Sequence, residues 1–297
     1  EDHINPNLLF IGTEFGMFYS INAGNSWNEF KNIPTIPIRD LEIQKEEDDL
    51  VAASFGRGFF IVDDYSPIRE FSTDILSKEG HLFSIKDVMQ YIVAAPEKTA
   101  TGHNFFTSPN PPYGLKLSYY IKNDLKNKYE KRIEVENYKF KKGETINYPT
   151  KKDLEEEAKE KSPKTLLTIL SEDGKVIRRI TGKNKKGYHE NYWDLRTYSH
   201  RNIEEEEEFS GPLVPPGKYF VQLEKFENNI FTTLSKKFPF NVISVGSKSS
   251  QEDRESLFKF QIKFDKILAD VEKLKDNIDD EIKKRLEETD EEILRLA

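Results

Sequence analysis

Few residues in this chain have the type and spacing needed for chemistry. The densest set is Ser20, Asn22, Gly24, Ser26 and Trp27. Asn22 can accept backbone N–H groups inside its own turn, Gly24 supplies a positive φ at no steric cost, and Ser26 offers a second local hydrogen bond. This set predicts a structural turn, with Trp27 plugging a hairpin into a core. Asp63 and Asp64 are of the type used in glycoside cleavage, where two carboxyl groups flank one bond. Adjacent residues on a strand point to opposite faces, so a structural role is expected for both. Arg57 lies between Gly56 and Gly58 at a hairpin tip. It either reaches toward an anionic ligand or pairs with Asp40 or Asp64.

Other chemistries find no constellation. The five histidines, His3, His81, His103, His189 and His200, form no H-x-x-x-H or H-E-x-x-H arrangement, so no protein-ligated zinc site is expected. There is no G-x-S-x-G, no P-loop and no G-x-G-x-x-G after a strand. Glu204–Glu208 lacks the alternating ligands and the glycine of a calcium loop and reads as a solvated run. Tyr119, Tyr120 and Trp193 are expected to fill a sandwich core from opposite faces. No catalytic residue, metal ligand or cofactor is assigned.

The elements that must position these residues fall into segments. Within 1–70, Leu8–Thr13 and Gly16–Ser20 predict a hairpin, followed by Trp27–Phe30, Ile38–Ile43, Leu50–Phe55 and Gly58–Val62. A hairpin with a glycine ahead of G-[F/M]-F occurs at Gly12–Phe18 and again at Ser54–Phe60, an internal repeat of roughly 40 residues as in propeller blades. A propeller closes with at least ~4 blades. The segment is therefore expected to be a slice unable to bury its own faces, the rest lying on sequence upstream or on another chain. Residues 71–106 read as a connector, with a short strand from His81 and a loop over Pro96–Phe106. Residues 107–245 alternate as short strands around turn signals such as Glu172-Asp173-Gly174, which predicts an immunoglobulin-like sandwich. A charged insertion covers 123–163, with one short helix over Asp153–Lys161. Residues 246–297 are helical. Leu257, Phe264, Val271 and Ile278 recur every seven residues with Phe260, Ile267 and Leu274 between them. The apolar set shifts after Asp280, so one long helix or a helical hairpin is expected, its seam either docked on the protein's own propeller or sandwich or forming a partner or self-association surface.

Composition bounds the function classes. The 297 residues are 33% charged and 12% aromatic, with net charge −8 and no cysteine. An acidic balance with interleaved bases disfavours general nucleic-acid binding. No apolar run approaches the ~20 residues of a membrane span. Without cysteine there is no disulfide or thiolate chemistry. Glu1 is not a natural start, and the chain reads as cut from a longer precursor.

The pattern S-x-[D/N]-x-G-x-[S/T]-W at Ser20–Trp27 resembles the Asp-box of BNR-type β-propellers, which include sialidases, xyloglucanases and sortilin. Further segments resemble the bacterial, sortilin-like branch often labelled glycosyl hydrolase BNR repeat. They are Asn7–Trp27, Pro37–Leu41, Asp49–Asp64, Ser66–Glu70, Asn110–Gly114, Ser118–Ile121, Trp193–Arg196 and Gly211–Tyr219. The resemblance covers most of the chain outside Asn123–Pro163. It implies large exported propeller proteins with a C-terminal immunoglobulin-like domain and a helical tail. It would place Arg57 at the propeller mouth as a ligand contact. Asn22 stands where that family usually has Asp, which keeps the turn bonds and weakens any ion-binding role of the loop.

The expected fold is thus mainly β: terminal propeller blades, an immunoglobulin-like sandwich and a helical segment. The expected function is binding and assembly at a bacterial envelope or surface, through a protein, peptide or glycan ligand. The remaining blades would be the structural partners. Alternatives are a glycoside hydrolase with its active site on other blades, and an accessory subunit that completes another chain's propeller.

Overall fold

The computed structural model describes residues 1–92, 110–200, 210–246 and 248–296, with side chains described to Glu288. The expected Pro96–Phe106 loop, His103 and Glu204–Glu208 lie outside the described residues. The fold is mainly β, with a curled half-barrel sheet and a C-terminal helix. Among the described residues, no helix is long and apolar enough to cross a membrane. The chain divides into two compact units, Glu1–Ser84 with Ser118–Asn123, and Ile85–Leu117 with Asp124–Ala297.

The first unit starts with two antiparallel three-stranded sheets. One holds β1 (Leu9–Thr13), β2 (Gly16–Ser20) and β3 (Asn28–Glu29). The other holds β4 (Ile38–Gln44), β5 (Asp49–Ser54) and β6 (Phe59–Val62). The two repeated hairpins close alike. The Thr13 hydroxyl donates to the Gly16 carbonyl at 3.0 Å, and the Ser54 hydroxyl donates to that of Gly58 at 2.7 Å. Leu8, Met17, Ile38, Leu50, Ala52 and Tyr65 form one core between the sheets. Each large apolar side chain buried there contributes roughly 1.5–3 kcal/mol. β1 passes close to β4: a Cβ on Gly12 would lie 2.7 Å from Ile38 Cγ2.

These residues therefore bury their facing sides without help, which corrects the expectation that they could bury neither. Period-two alternation puts Phe60 and Val62 inward and leaves Phe59 and Ile61 73% and 58% exposed on the outer face. Ile11 is likewise exposed on β1. After β6 come α1 (Ser66–Glu70), α2 (Thr73–Ser77) and β7 (Gly80–Leu82). Then follow β8 (Val88–Gln90) and β9 (Leu115–Ile121), whose last residues pair with β7 through Leu82↔Tyr119. Tyr120 joins Ile75, Phe83 and Phe71 in a small core of this unit. Tyr120 and Trp193 thus fill different cores, not one sandwich.

In the second unit, the 123–163 insertion contains two helices rather than one, α3 (Lys128–Lys142) and α4 (Lys151–Lys159). Neither buries a residue. Both begin with a reciprocal capping box, Asn127 with Glu130 and Thr150 with Asp153. Arg132 clamps Glu157 across the pair at 2.7 and 2.9 Å.

The strands that follow are β10 (Lys164–Ser171), β11 (Val176–Gly182), β12 (Gly187–Trp193), β13 (Arg196–Tyr198), β14 (Ser210–Leu213), β15 (Gly217–Glu227), β16 (Ile230–Thr233) and β17 (Phe238–Ser244). A six-stranded sheet runs β11-β10-β15-β17-β8, with β16 paired to β15. Its only parallel pairing among the described strands is β17 with β8, Val242↔Val88 to Ser244↔Gln90. Trp193 is fully buried against Tyr219 and Phe240, and its indole N–H donates to the Arg196 carbonyl at 2.8 Å.

The last element is a single helix, α5 (Gln251–Leu296), not a hairpin. One face packs on its own unit. Ala269 is buried, and Phe258, Ile262 and Leu268 are half-buried. Asp265 accepts from Ser199 Oγ at 2.7 Å and from the His200 backbone N–H at 2.6 Å. The heptad seam does not dock there. Leu257, Phe260, Phe264, Ile267, Val271, Leu274 and Ile278 are all exposed.

Candidate functional site

The Ser20–Trp27 turn has the local chemistry its sequence requires. The Asn22 side-chain oxygen accepts from the Ser26 N–H and from Ser20 Oγ, each at 2.9 Å. The Asn22 amide donates to Ser26 Oγ at 2.9 Å, and the Gly24 N–H donates to Ser20 Oγ at 2.8 Å. Ala23 and Gly24 take φ of 55° and 87°, so the chain reverses through the left-handed region and glycine takes the more demanding place. Every polar atom of Asn22 is thus turned inward on its own loop. Trp27 departs from expectation. It is 43% exposed and lies over Gly24, where a Cβ would sit 3.7 Å from its Cζ2. It covers the turn instead of entering the core, because the two sheets fill that core with Met17 and Leu50.

Arg57 stands exposed on the β5–β6 turn between Gly56 (φ 82°) and Gly58 (φ 72°). It forms none of the ion pairs found among the described residues, so the pairing with Asp40 or Asp64 does not occur. Asp40 caps the N–H of Leu41, and Asp64 accepts from Ser66 Oγ at 2.6 Å. Asp63 and Asp64 are not strand neighbours either. β6 ends at Val62 and Asp64 turns at φ 48°, stabilised by its N–H bond to Asp49.

The main electrostatic centre of the first unit comprises residues that sequence reasoning did not single out as a site: Asp2, His3, Asp48, Tyr65 and Arg69. Asp2 precedes β1, Asp48 sits in the β4–β5 turn at φ 62°, and Arg69 is on α1. Arg69 Nε donates to Asp2 Oδ2 at 2.7 Å, and its Nη2 donates to Asp2 Oδ1 and Asp48 Oδ1, each at 2.6 Å. The Tyr65 hydroxyl donates to Asp2 Oδ1 at 2.6 Å, and the Asn5 N–H donates to Oδ2 at 2.8 Å. His3 Nδ1 is 3.6 Å from Asp2 and its Nε2 is 3.5 Å from Asp48.

Burial raises the Asp2 pKa, but its bonds from Arg69, Tyr65 and Asn5 outweigh that and hold the carboxyl well below its ordinary value. Burial and the Asp2 bond push Tyr65 well above the usual phenol range. Desolvation lowers the Arg69 pKa, and its two carboxylate partners raise it further than that. Both oxygens of Asp2 are saturated by donors, so the carboxylate cannot serve as a base. The cluster is a clamp that ties the start of the chain to α1.

Two further histidines also meet single carboxylates. His81 Nε2 is 3.3 Å from Glu70 Oε2, and His200 Nδ1 is 2.9 Å from Asp265 Oδ2. Among the described residues, no three His, Asp or Glu side chains converge as a metal-holding group. No family model, curated protein or solved structure matches this chain.

Proposed function

We propose that this chain is the closing part of an exported bacterial β-propeller protein with a non-enzymatic role in binding and assembly at the cell envelope or surface. The observation that carries this reading is the stacked pair of three-stranded sheets in the first unit. Their facing sides share one core, yet Ile11 on one outer face and Phe59 and Ile61 on the other stay exposed. Outer apolar faces on a stack of small sheets are what neighbouring blades cover in a radial array. The Ser20–Trp27 turn supports the Asp-box resemblance through the hydrogen bonds that Ser20, Asn22 and Ser26 make within it. Trp193 packed on Tyr219 and Phe240 supports an immunoglobulin-like sandwich in the second unit. In this reading the remaining blades come from the same precursor or another chain. Arg57 then projects from a blade tip toward a protein, peptide or glycan ligand.

Cross-linking mass spectrometry on the native protein tests the array. Cross-links from the β5–β6 hairpin to strands outside this chain are expected. A native protein in which that face meets only solvent overturns the propeller. Glycan hydrolysis by the full-length protein overturns the non-enzymatic role and favours the hydrolase reading.

A further inference from the structure

The exposed seam of α5 points to a second copy of this chain as its partner. Leu257, Phe260, Phe264, Ile267, Val271, Leu274 and Ile278 alternate at spacings of three and four, the 3.5-residue repeat of a coiled coil. Ile282 and Leu286 extend the stripe, and all nine side chains are more than half exposed. Together they expose on the order of 900 Å² per chain, above the ~300–600 Å² of the largest patch on a typical monomer and close to the ~800 Å² per partner of a standard interface. The helix is already docked on its own unit through Ala269 and Asp265, so the stripe is a second, separate face.

We propose that two copies pair through this stripe as a parallel, in-register coiled coil. With Leu257, Phe264, Val271 and Ile278 at a and Phe260, Ile267 and Leu274 at d, Asp270 falls at g and Lys275 at the following e. A parallel pair sets Asp270 of each copy beside Lys275 of the other, twice by symmetry. It also brings all seven core positions together in register. An antiparallel alternative that overlaps six of the seven core positions places Asp270 against Asp270. It also sets Ile282 against Ser256, Leu286 against Glu252 and Leu257 against Glu281. Only the parallel, in-register arrangement matches all seven core positions while pairing Asp270 with Lys275. The inference rests on α5 alone and does not depend on the propeller reading.

Light scattering on the 297-residue chain during gel filtration, across a concentration series, tests the pairing. A mass of two chains is expected. The paired substitution Ile267→Lys and Leu274→Lys, on exposed positions that carry none of the helix's docking, is expected to weaken the dimer by more than about a hundredfold with an unchanged circular dichroism spectrum of the sheets. Because the chain has no cysteine, Leu274→Cys supplies a unique reporter. It forms an inter-chain disulfide in the parallel pair, whereas the antiparallel pair places position 274 opposite 264. The proposal is overturned by a chain that stays monomeric to about 100 µM, or by a dimer that survives the paired lysines. A dimer that Leu274→Cys fails to link covalently overturns the parallel arrangement. Phe59→Ser with Ile61→Ser separates the two readings: it removes the outer blade face and should leave the dimer intact.

Discussion

Arg69 holds Asp2 through two parallel hydrogen bonds, Nε to Oδ2 at 2.7 Å and Nη2 to Oδ1 at 2.6 Å. The Asp2 side chain is fully buried, and Arg69 keeps only 12% of its side chain exposed. Geometry of this kind is worth little as a surface pair but much as a buried one, because removing one partner leaves the other charge unmatched in a dry site.

Arg69→Ala is therefore expected to destabilise the first unit by about 3–5 kcal/mol. Asp48 loses its Arg69 hydrogen bond at the same time. Arg69→Gln combined with Asp2→Asn removes both charges and is expected to recover part of that loss. Urea denaturation followed by hydrogen exchange in β1 and β2 reads both. Wild-type protection in Arg69→Ala would show that the clamp contributes nothing.

The same clamp sets an acid limit. An unfolded Asp titrates near ~3.9, while the folded Asp2 titrates well below this. The unfolded state thus binds its proton first as pH falls. The stabilisation from Asp2 is complete above about pH 4 and drains away as pH drops toward the folded value. Exchange protection of β1 and β2 is expected to fall below about pH 4, and the fall should be shallower in Asp2→Asn. An identical acid limb in that variant would assign the loss to other carboxylates, such as Glu70, whose pKa burial raises but His81 and Ser84 lower further.

Gly114 closes the Asn110–Gly114 turn at φ 118°, and a Cβ there would lie 1.9 Å from the Trp193 carbonyl oxygen. Backbone cannot retreat as a flexible side chain can. Gly114→Ala is expected to cost about 3 kcal/mol or more, combining overpacking with the left-handed penalty. It should also shift Trp193 emission to the red. Gly174, with φ 80° and open space around its Cα, isolates the second term. Gly174→Ala should cost only about 1–2 kcal/mol. Equal losses at the two glycines would remove the steric argument.

What the sequence made legible was periodic. Leu50 and Ala52 are buried while Val51 and Ala53 between them are half-buried, and the seven-residue recurrence from Leu257 to Ile278 appears as one exposed face. The two repeated hairpins appear with matching hydroxyl closures at Thr13 and Ser54. What stayed illegible was distant or aperiodic. Asp2 and Arg69 are separated by 67 residues, and no local pattern marks a pair at that range. Helix α3 has no fully buried residue, and among its apolar residues no core-facing run marks it in the sequence. Its signal was at its ends, Asn127 with Glu130 at the start and Gly143 in the left-handed region after Lys142. The heptad showed that α5 must cover something but could not say which face the protein would use for itself. Ala269 and Asp265, outside the seam, settled that.

The parallel pairing of β8 with β17 sets an order of events during synthesis. The residues of the first unit end at Asn123, so all of them are made while the ribosome is still adding most of the second. β8 has no such freedom. Its register partners are Val242, Ile243 and Ser244, and Gln90 also donates to the Val214 carbonyl. A nascent chain must keep Val88–Gln90 unsatisfied through more than half its length before that edge can close. The second unit thus finishes late, and truncation before β17 would leave β8 as an open edge available to wrong partners.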